Sequence, residues 1–214
     1  MDIAQHPTPP TATGHRTITP SILYVGTPVA LLTTENEDGT DNLAPISSVW
    51  ALGQIVVLGL GAEGQTARNL RERSDLVISL PSPDMWEHVE RLAPLTGRFP
   101  VPPGKPAGCR YEADKFGVAG LAPQRSELVR PSRVAGCPLQ FEARAARVSQ
   151  GVADWYVTVE AEVLRVHADP AVVVPGTQHI DPAAWSPLIY NFRHYFGLGP
   201  ELGHSHRTDT PRSA

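Results

Sequence analysis

Two cysteines in 214 residues, Cys109 and Cys137, are too few for a disulfide framework, and no repeated CxxC pair is present to hold a metal. A reducing compartment is the expectation, and with it a cytoplasmic location. Basic residues are scarce as well: 18 Lys and Arg stand against 22 Asp and Glu, for a formal charge of −4. A general nucleic-acid binder needs a clustered basic surplus to neutralise phosphates, so that class is excluded. Long apolar runs are missing. The most apolar one, Ile55–Leu60, is far shorter than the roughly 20 residues of a membrane-crossing helix, and no membrane partner is expected. The opening MDIAQHPTPPTATGHRTITP has no apolar h-region and several prolines, so residues 1–20 read as a flexible leader. HExxH and a recognisable Ser-His-Asp grouping are also absent.

What remains is a globular balance of 41% apolar and 19% charged residues, in a length that suits one domain with a substantial core. We place that domain at residues 21–203, followed by a polar tail at 204–214. PVALLTT (28–34) is a nearly continuous apolar run, as a strand buried on both faces would be. Asp38-Gly39 offers a hairpin turn into NLAPISSVWAL (42–52), and a third strand runs from Gln54 to Leu60 after the turn at Gly53. TARNLRER (66–73) is rich in helix formers. DLVISL (75–80) is a strand closed by Pro81, and Pro83 opens a helix whose Trp86, Val89 and Leu92 recur at helical spacing on an inward face.

Prolines at 100, 102, 103 and 106 forbid regular structure between Thr96 and Gly108, which is expected to form a loop or lid. Two long strands follow between Leu139 and Val166, joined by SQGVAD. The second alternates, with Trp155, Val157, Val159, Ala161 and Val163 on one face, until the apolar phase moves to Leu164 and Val166. The first strand changes phase between Ala145 and Ala146. Phase flips at matching ends of a hairpin are what bulges produce, and closing a small barrel requires such bends.

Two segments could carry chemistry. In Asn42–Leu52, Pro45 removes a ladder donor and is expected to force a bulge, freeing nearby backbone groups, with the hydroxyls of Ser47 and Ser48, to bond a ligand. An edge strand with polar residues facing water accounts for the same letters. In GQTARNL (64–70), a helix start with Thr66 and Arg68 offers an anion site, and ordinary capping with a solvated charge is the alternative. His204 and His206 could suggest a metal, but in a loose tail they read as bystanders. Arg193, His194 and Tyr195 border either a ligand or a packed seam of Phe192 and Phe196, while Trp50 and Trp155 read as core or interface.

The strings PVALLTTENEDGTDNLAPISSVWAL, VVLGL and QTARNLRERSDLVISLPS together, followed by DKFGVAGL (114–121), CPLQFEA (137–143) and WSPLIYNFRHYFGLG (185–199), resemble the flavin reductase-like family with its FMN-binding split barrel. The likeness spans roughly residues 22–205. It implies a mainly β fold with peripheral helices, a six-stranded Greek-key split β-barrel, assembled as a homodimer with one FMN near each subunit interface. Residues matching Asn42, Ala44, Pro45, Ile46, Ser47 and Ser48 would hold the isoalloxazine edge. Thr66, Ala67, Arg68 and Asn69 would hold the phosphate or ribityl chain. Gly64 stands where the family often carries a basic residue, and Arg68 or a partner residue is the expected substitute. The implied activity is hydride transfer from NADH or NADPH to or through FMN, towards a small-molecule electron acceptor or a partner oxygenase. An FMN-binding electron-transfer or interaction protein without nicotinamide turnover is the rival. The missing catalytic groupings fit either reading, because the flavin carries the hard chemistry.

Overall fold

The structure is a computed structural model that describes residues 14–208. The leader therefore lies mostly outside the described residues, as does the end of the tail. The chain forms strands β1 (Val25–Pro28), β2 (Ala30–Glu35), β3 (Asp41–Ile46), β4 (Val49–Leu52) and β5 (Ile55–Gly61), helix α1 (Gln65–Glu72) and strand β6 (Asp75–Leu80). A single 3₁₀ turn, Pro83–Met85, leads into α2 (Trp86–Leu92), then β7 (Leu95–Thr96), β8 (Arg110–Tyr111), α3 (Lys115–Ala119), β9 (Pro123–Gln124) and β10 (Arg133–Val134). The long strands β11 (Leu139–Gln150) and β12 (Tyr156–Ala168) precede the hairpin of β13 (Ile189–Asn191) and β14 (His194–Phe196).

The main sheet has seven strands in the order β3-β2-β6-β11-β12-β5-β4, one more than the six expected. Its two edges, β3 and β4, are consecutive in the chain, separated only by Ser47 and Ser48. Three Cα steps of chain reach at most about 11 Å, so the sheet must curl until its edges nearly meet. They do not pair, and the barrel stays split along this line. The curl comes from the β11–β12 hairpin, whose register shifts between Glu142 and Ala143 and again between Ala145 and Arg147. These are the phase changes visible in the sequence: Leu164 is the extra residue opposite the first shift and Ala146 the extra residue at the second.

Strand β2 is buried on both faces, as its unbroken apolar run implies. Ala30 and Leu32 join Leu58, Ile78, Val159 and the α1 residues Ala67 and Leu70 inside the barrel. Val29 and Leu31 point the other way, against Leu43, Val89, Leu92, Phe116 and Leu188 under α2 and α3. Truncating a fully buried leucine such as Leu31 to alanine costs about 2–5 kcal/mol in a core of this kind.

Three expectations need correction. Pro45 sits in register opposite Leu31 with no bulge. Strand β3 is an edge, where a missing N–H is tolerated, and the interruption falls instead at Ser47-Ser48. Trp86 is 44% exposed while Val89 and Leu92 are buried, because α2 begins at Trp86 and this ring lies beside Tyr195, with centroids 6.2 Å apart. Trp155, read as core or interface, precedes β12 and is 73% exposed with its ring tilted against that of Tyr156, so it is not a core residue.

Candidate flavin-binding groove

Helix α1 opens at Gly64, whose backbone is extended and which provides no side-chain cap; its first turn carries no acidic residue. The first turn therefore supplies no carboxylate to the positive end of the helix dipole. It faces a cavity of ≈170 Å³ walled by Ala44–Ile46 of β3, Gly59–Gly61 of β5 and Gly64–Ala67. Two lysines line this cavity, Lys105 from the proline-rich loop and Lys115 from α3, and no Asp or Glu does.

Lys115 is 5% exposed, and its Nζ donates to Asn42 Oδ1 at 2.9 Å and to the Leu43 carbonyl at 3.0 Å. No ion pair neutralises it among the described residues. Burial pulls its pKa down to about 8, and the neighbouring charge of Lys105 adds to that. A buried ammonium without a counter-charge is costly, and an anion placed in the cavity beside it relieves that cost.

Asn42 ties this corner together. It is buried, and its Nδ2 donates to Thr66 Oγ1 at 3.0 Å while its Oδ1 receives Lys115. One side chain thus fixes β3, the start of α1 and α3 relative to each other.

At Pro45, Ile46 and Gly59 the cavity opens into a second one of ≈300 Å³, walled by Ser47, Ser48, Tyr24, Tyr190 and Tyr195. A Cβ on Gly59 would stand 3.0 Å from Ser48 Cβ, so glycine keeps this junction open. The three tyrosines touch in series, Tyr24–Tyr190 at 5.6 Å and Tyr190–Tyr195 at 5.4 Å between centroids. Tyr195 donates its hydroxyl to Glu90 at 2.9 Å. Burial, then that bond, pushes its pKa up and keeps the phenol neutral. The β13–β14 turn that carries Tyr190 and Tyr195 places Phe192 and Arg193 at φ 46° and 68°, the left-handed region that side chains normally avoid.

The result is one groove with a cationic, helix-capped end and an apolar, hydroxyl-edged end. Residues Asn42, Ala44, Pro45, Ile46, Ser47, Ser48, Thr66 and Ala67 all line it. Arg68 and Asn69 line neither cavity. Arg68 pairs with Glu37 and Glu72 at 3.5 and 3.8 Å. Asn69 is fully buried and already satisfied by Thr34, Asn36 and Gln65. The lysines, Tyr24 and Tyr190 escaped the sequence reading; Lys115 lay inside the DKFGVAGL string but had no local signal of a ligand. His204 and His206 are exposed, and no group of three or more potential metal ligands occurs among the described residues.

The groove fits a flavin nucleotide in kind: a cavity lined by two lysines and no carboxylate, glycines at the walls, and hydroxyls beside an apolar slot. Comparison with known proteins agrees with the architecture. The protein YdfE of Bacillus subtilis (strain 168) is 45% identical over 195 residues, covering 90% of this chain and 94% of that protein. A flavoredoxin from Methanosarcina acetivorans superposes with a TM-score of 0.74 at 16% identity, covering 91% of this chain and 97% of the other. The nitrilotriacetate monooxygenase component B from Bacillus cereus superposes with a TM-score of 0.69 at 20% identity, covering 87% and 90%. The flavin reductase like domain matches residues 23–199, and this chain is a member of that family.

Proposed function

We propose that this protein is an FMN-dependent oxidoreductase that takes hydride from NADH or NADPH and passes the electrons to a small-molecule acceptor or a partner oxygenase. The observation that carries the reading is the continuity of the groove from the unneutralised lysine and bare helix start to the Ser47-Ser48 break. When bound, FMN supplies the two-electron chemistry. The chain's own groups do the rest. Lys105, Lys115 and the first-turn N–H groups of α1 bind the phosphate; Thr66 orients the ribityl end. The hydroxyls of Ser47 and Ser48 and the free edge of β3 bind the ring's polar rim, and the tyrosines exclude water from its face. No protein acid is needed, consistent with the neutral Tyr195 phenol.

We further propose a homodimer in the cytoplasm. Trp50 and Leu52 on β4, with their cross-strand partners Val57 and Ile55, form an outward apolar patch on an open edge strand. Such an edge calls for a cover. The monooxygenase component B among the structural relatives supports an oxygenase as the electron acceptor.

Anaerobic stopped-flow mixing of the FMN-loaded protein with NADH and with NADPH tests the activity. Bleaching of the flavin band by either is expected. No bleaching by both would leave an electron carrier in place of a reductase.

A further inference from the structure

Beyond the phosphate seat, and sharing Asn42, Gln65 and Gly97 with it, lies a second pocket of ≈370 Å³. Gly97 packs closely on Asn42 where the two meet: a Cβ there would stand 2.5 Å from Asn42 Oδ1. The charge reverses between the two pockets. Glu37, Asp38, Asp41 and Glu112 line the outer pocket with no Lys or Arg among the lining residues. Lys105 and Lys115 line the inner cavity with no carboxylate. Two bonds from Thr40 hold the Asp38 carboxyl below its ordinary pKa, so it stays charged throughout the neutral range.

Resting on the flavin reading above, we propose that this charge step makes the groove selective for the mononucleotide flavin over the dinucleotide. The chemistry of the two ligands differs at one point. FMN ends in a phosphate monoester carrying close to two negative charges at neutral pH. That matches two lysines and a helix start. FAD spreads its charge over two linked phosphates, one each, and continues into an adenosine. Its first phosphate therefore meets the lysines with half the charge, and the continuing chain is directed at the carboxylates. The carboxylates act as a barrier and hold no ligand of their own; the selectivity arises from repulsion built beside an attractive seat.

Glu37 and Glu112 are the residues to change: Glu37 pairs with Arg68 at 3.5 Å and Glu112 Oε1 accepts the Asp114 N–H at 2.9 Å, and glutamine keeps an acceptor oxygen at each position while removing the charge. Titrate the full-length protein and the E37Q/E112Q variant with FMN, FAD and riboflavin, following flavin fluorescence at low and at high salt. The wild type is expected to bind FMN at least tenfold more tightly than FAD, about what two or three unit charges impose through a water-like dielectric. It should bind riboflavin more weakly than FMN. In E37Q/E112Q the FMN-to-FAD ratio should fall at least threefold, chiefly through tighter FAD binding, and salt should narrow the wild-type ratio by screening. Salt also serves as a check that needs no variant. Equal wild-type affinities for FMN and FAD would overturn the proposal and leave flavin binding standing. A ratio that ignores both salt and the substitutions would also overturn it, by showing the discrimination to be steric. Failure of all three flavins to bind would remove the flavin reading itself.

Discussion

Lys115 is the residue on which most of the site's electrostatics converge. Its folded pKa of about 8 lies below the ordinary lysine value of 10.5 because burial disfavours the ammonium. The unfolded chain thus binds the extra proton between those two values, and this group's contribution to stability rises with pH across that window. Flavin-free wild type should therefore gain thermal stability relative to K115M as pH is raised from 7.5 to about 10, which a pair of melting curves in differential scanning fluorimetry will show. FMN affinity should move in the opposite direction, weakening above pH 8 as the cation is lost, while riboflavin affinity stays level. Equal pH dependence of FMN and riboflavin would detach Lys115 from the phosphate. The cysteines give a second residue-level expectation. Cys137 is buried and its thiol is pushed up to about 12 by that burial, whereas Cys109 is partly exposed. Iodoacetamide at neutral pH should modify one thiol per chain in the native protein and two after unfolding, as read by mass spectrometry.

Among the elements, the segment 126–132 is anchored at its first turn by a buried carboxylate. Glu142 of β11 is fully buried, and its carboxylate accepts the N–H groups of Glu127, Leu128 and Val129, at 2.9, 2.6 and 3.1 Å, and contacts His167 Nε2 at 2.6 Å. Burial alone would raise this carboxyl, but the four partners together hold it below the ordinary carboxylate value. Its stabilisation is present above the unfolded value of 4.5 and is lost as pH falls through the lower folded one. Replacing it as E142Q keeps the volume but loses the charge-assisted bonds, and a loss of about 2–4 kcal/mol is expected in urea unfolding. Hydrogen exchange should speed up at 127–129 ahead of the rest of the sheet. At the other end of the barrel, Gly59 keeps the groove continuous. In G59V the added methyls meet Ser48, so FMN affinity should drop tenfold or more with little change in melting temperature.

How far these elements could be read in advance depended on whether their cause was local. The bulges were legible because a phase change in alternating residues has no other simple source than an extra residue in the ladder. The inward face of α2 was legible at Val89 and Leu92 but not at Trp86, whose exposure depends on where the preceding turn ends. Pro45 pointed to the right strand and the wrong break, since a proline on an edge strand disturbs nothing and only the sheet order shows which strand is the edge.

For the whole molecule, the split barrel leaves β4 as an uncovered strand with Trp50 57% and Leu52 75% exposed. If the homodimer forms through this face, W50E/L52E should elute as a monomer on size exclusion with light scattering while retaining its circular dichroism. A wild type that is itself monomeric at micromolar concentration would remove the proposal.

By itself the sequence determined the β-rich architecture, the two-faced burial of β2, the hairpin of β11 and β12 with its bends, and the two segments that meet in the groove. All of these follow from periodicity and backbone chemistry within a few neighbouring residues. Only the tertiary structure decided that Lys105 and Lys115, from a loop and a helix distant in the chain, line the cavity beside Gly64, and that Arg68 pairs with Glu37. A counter-charge acts through space. Which lysine comes within reach of a helix start is set by how the sheet curls and where α3 docks, and no local pattern records that.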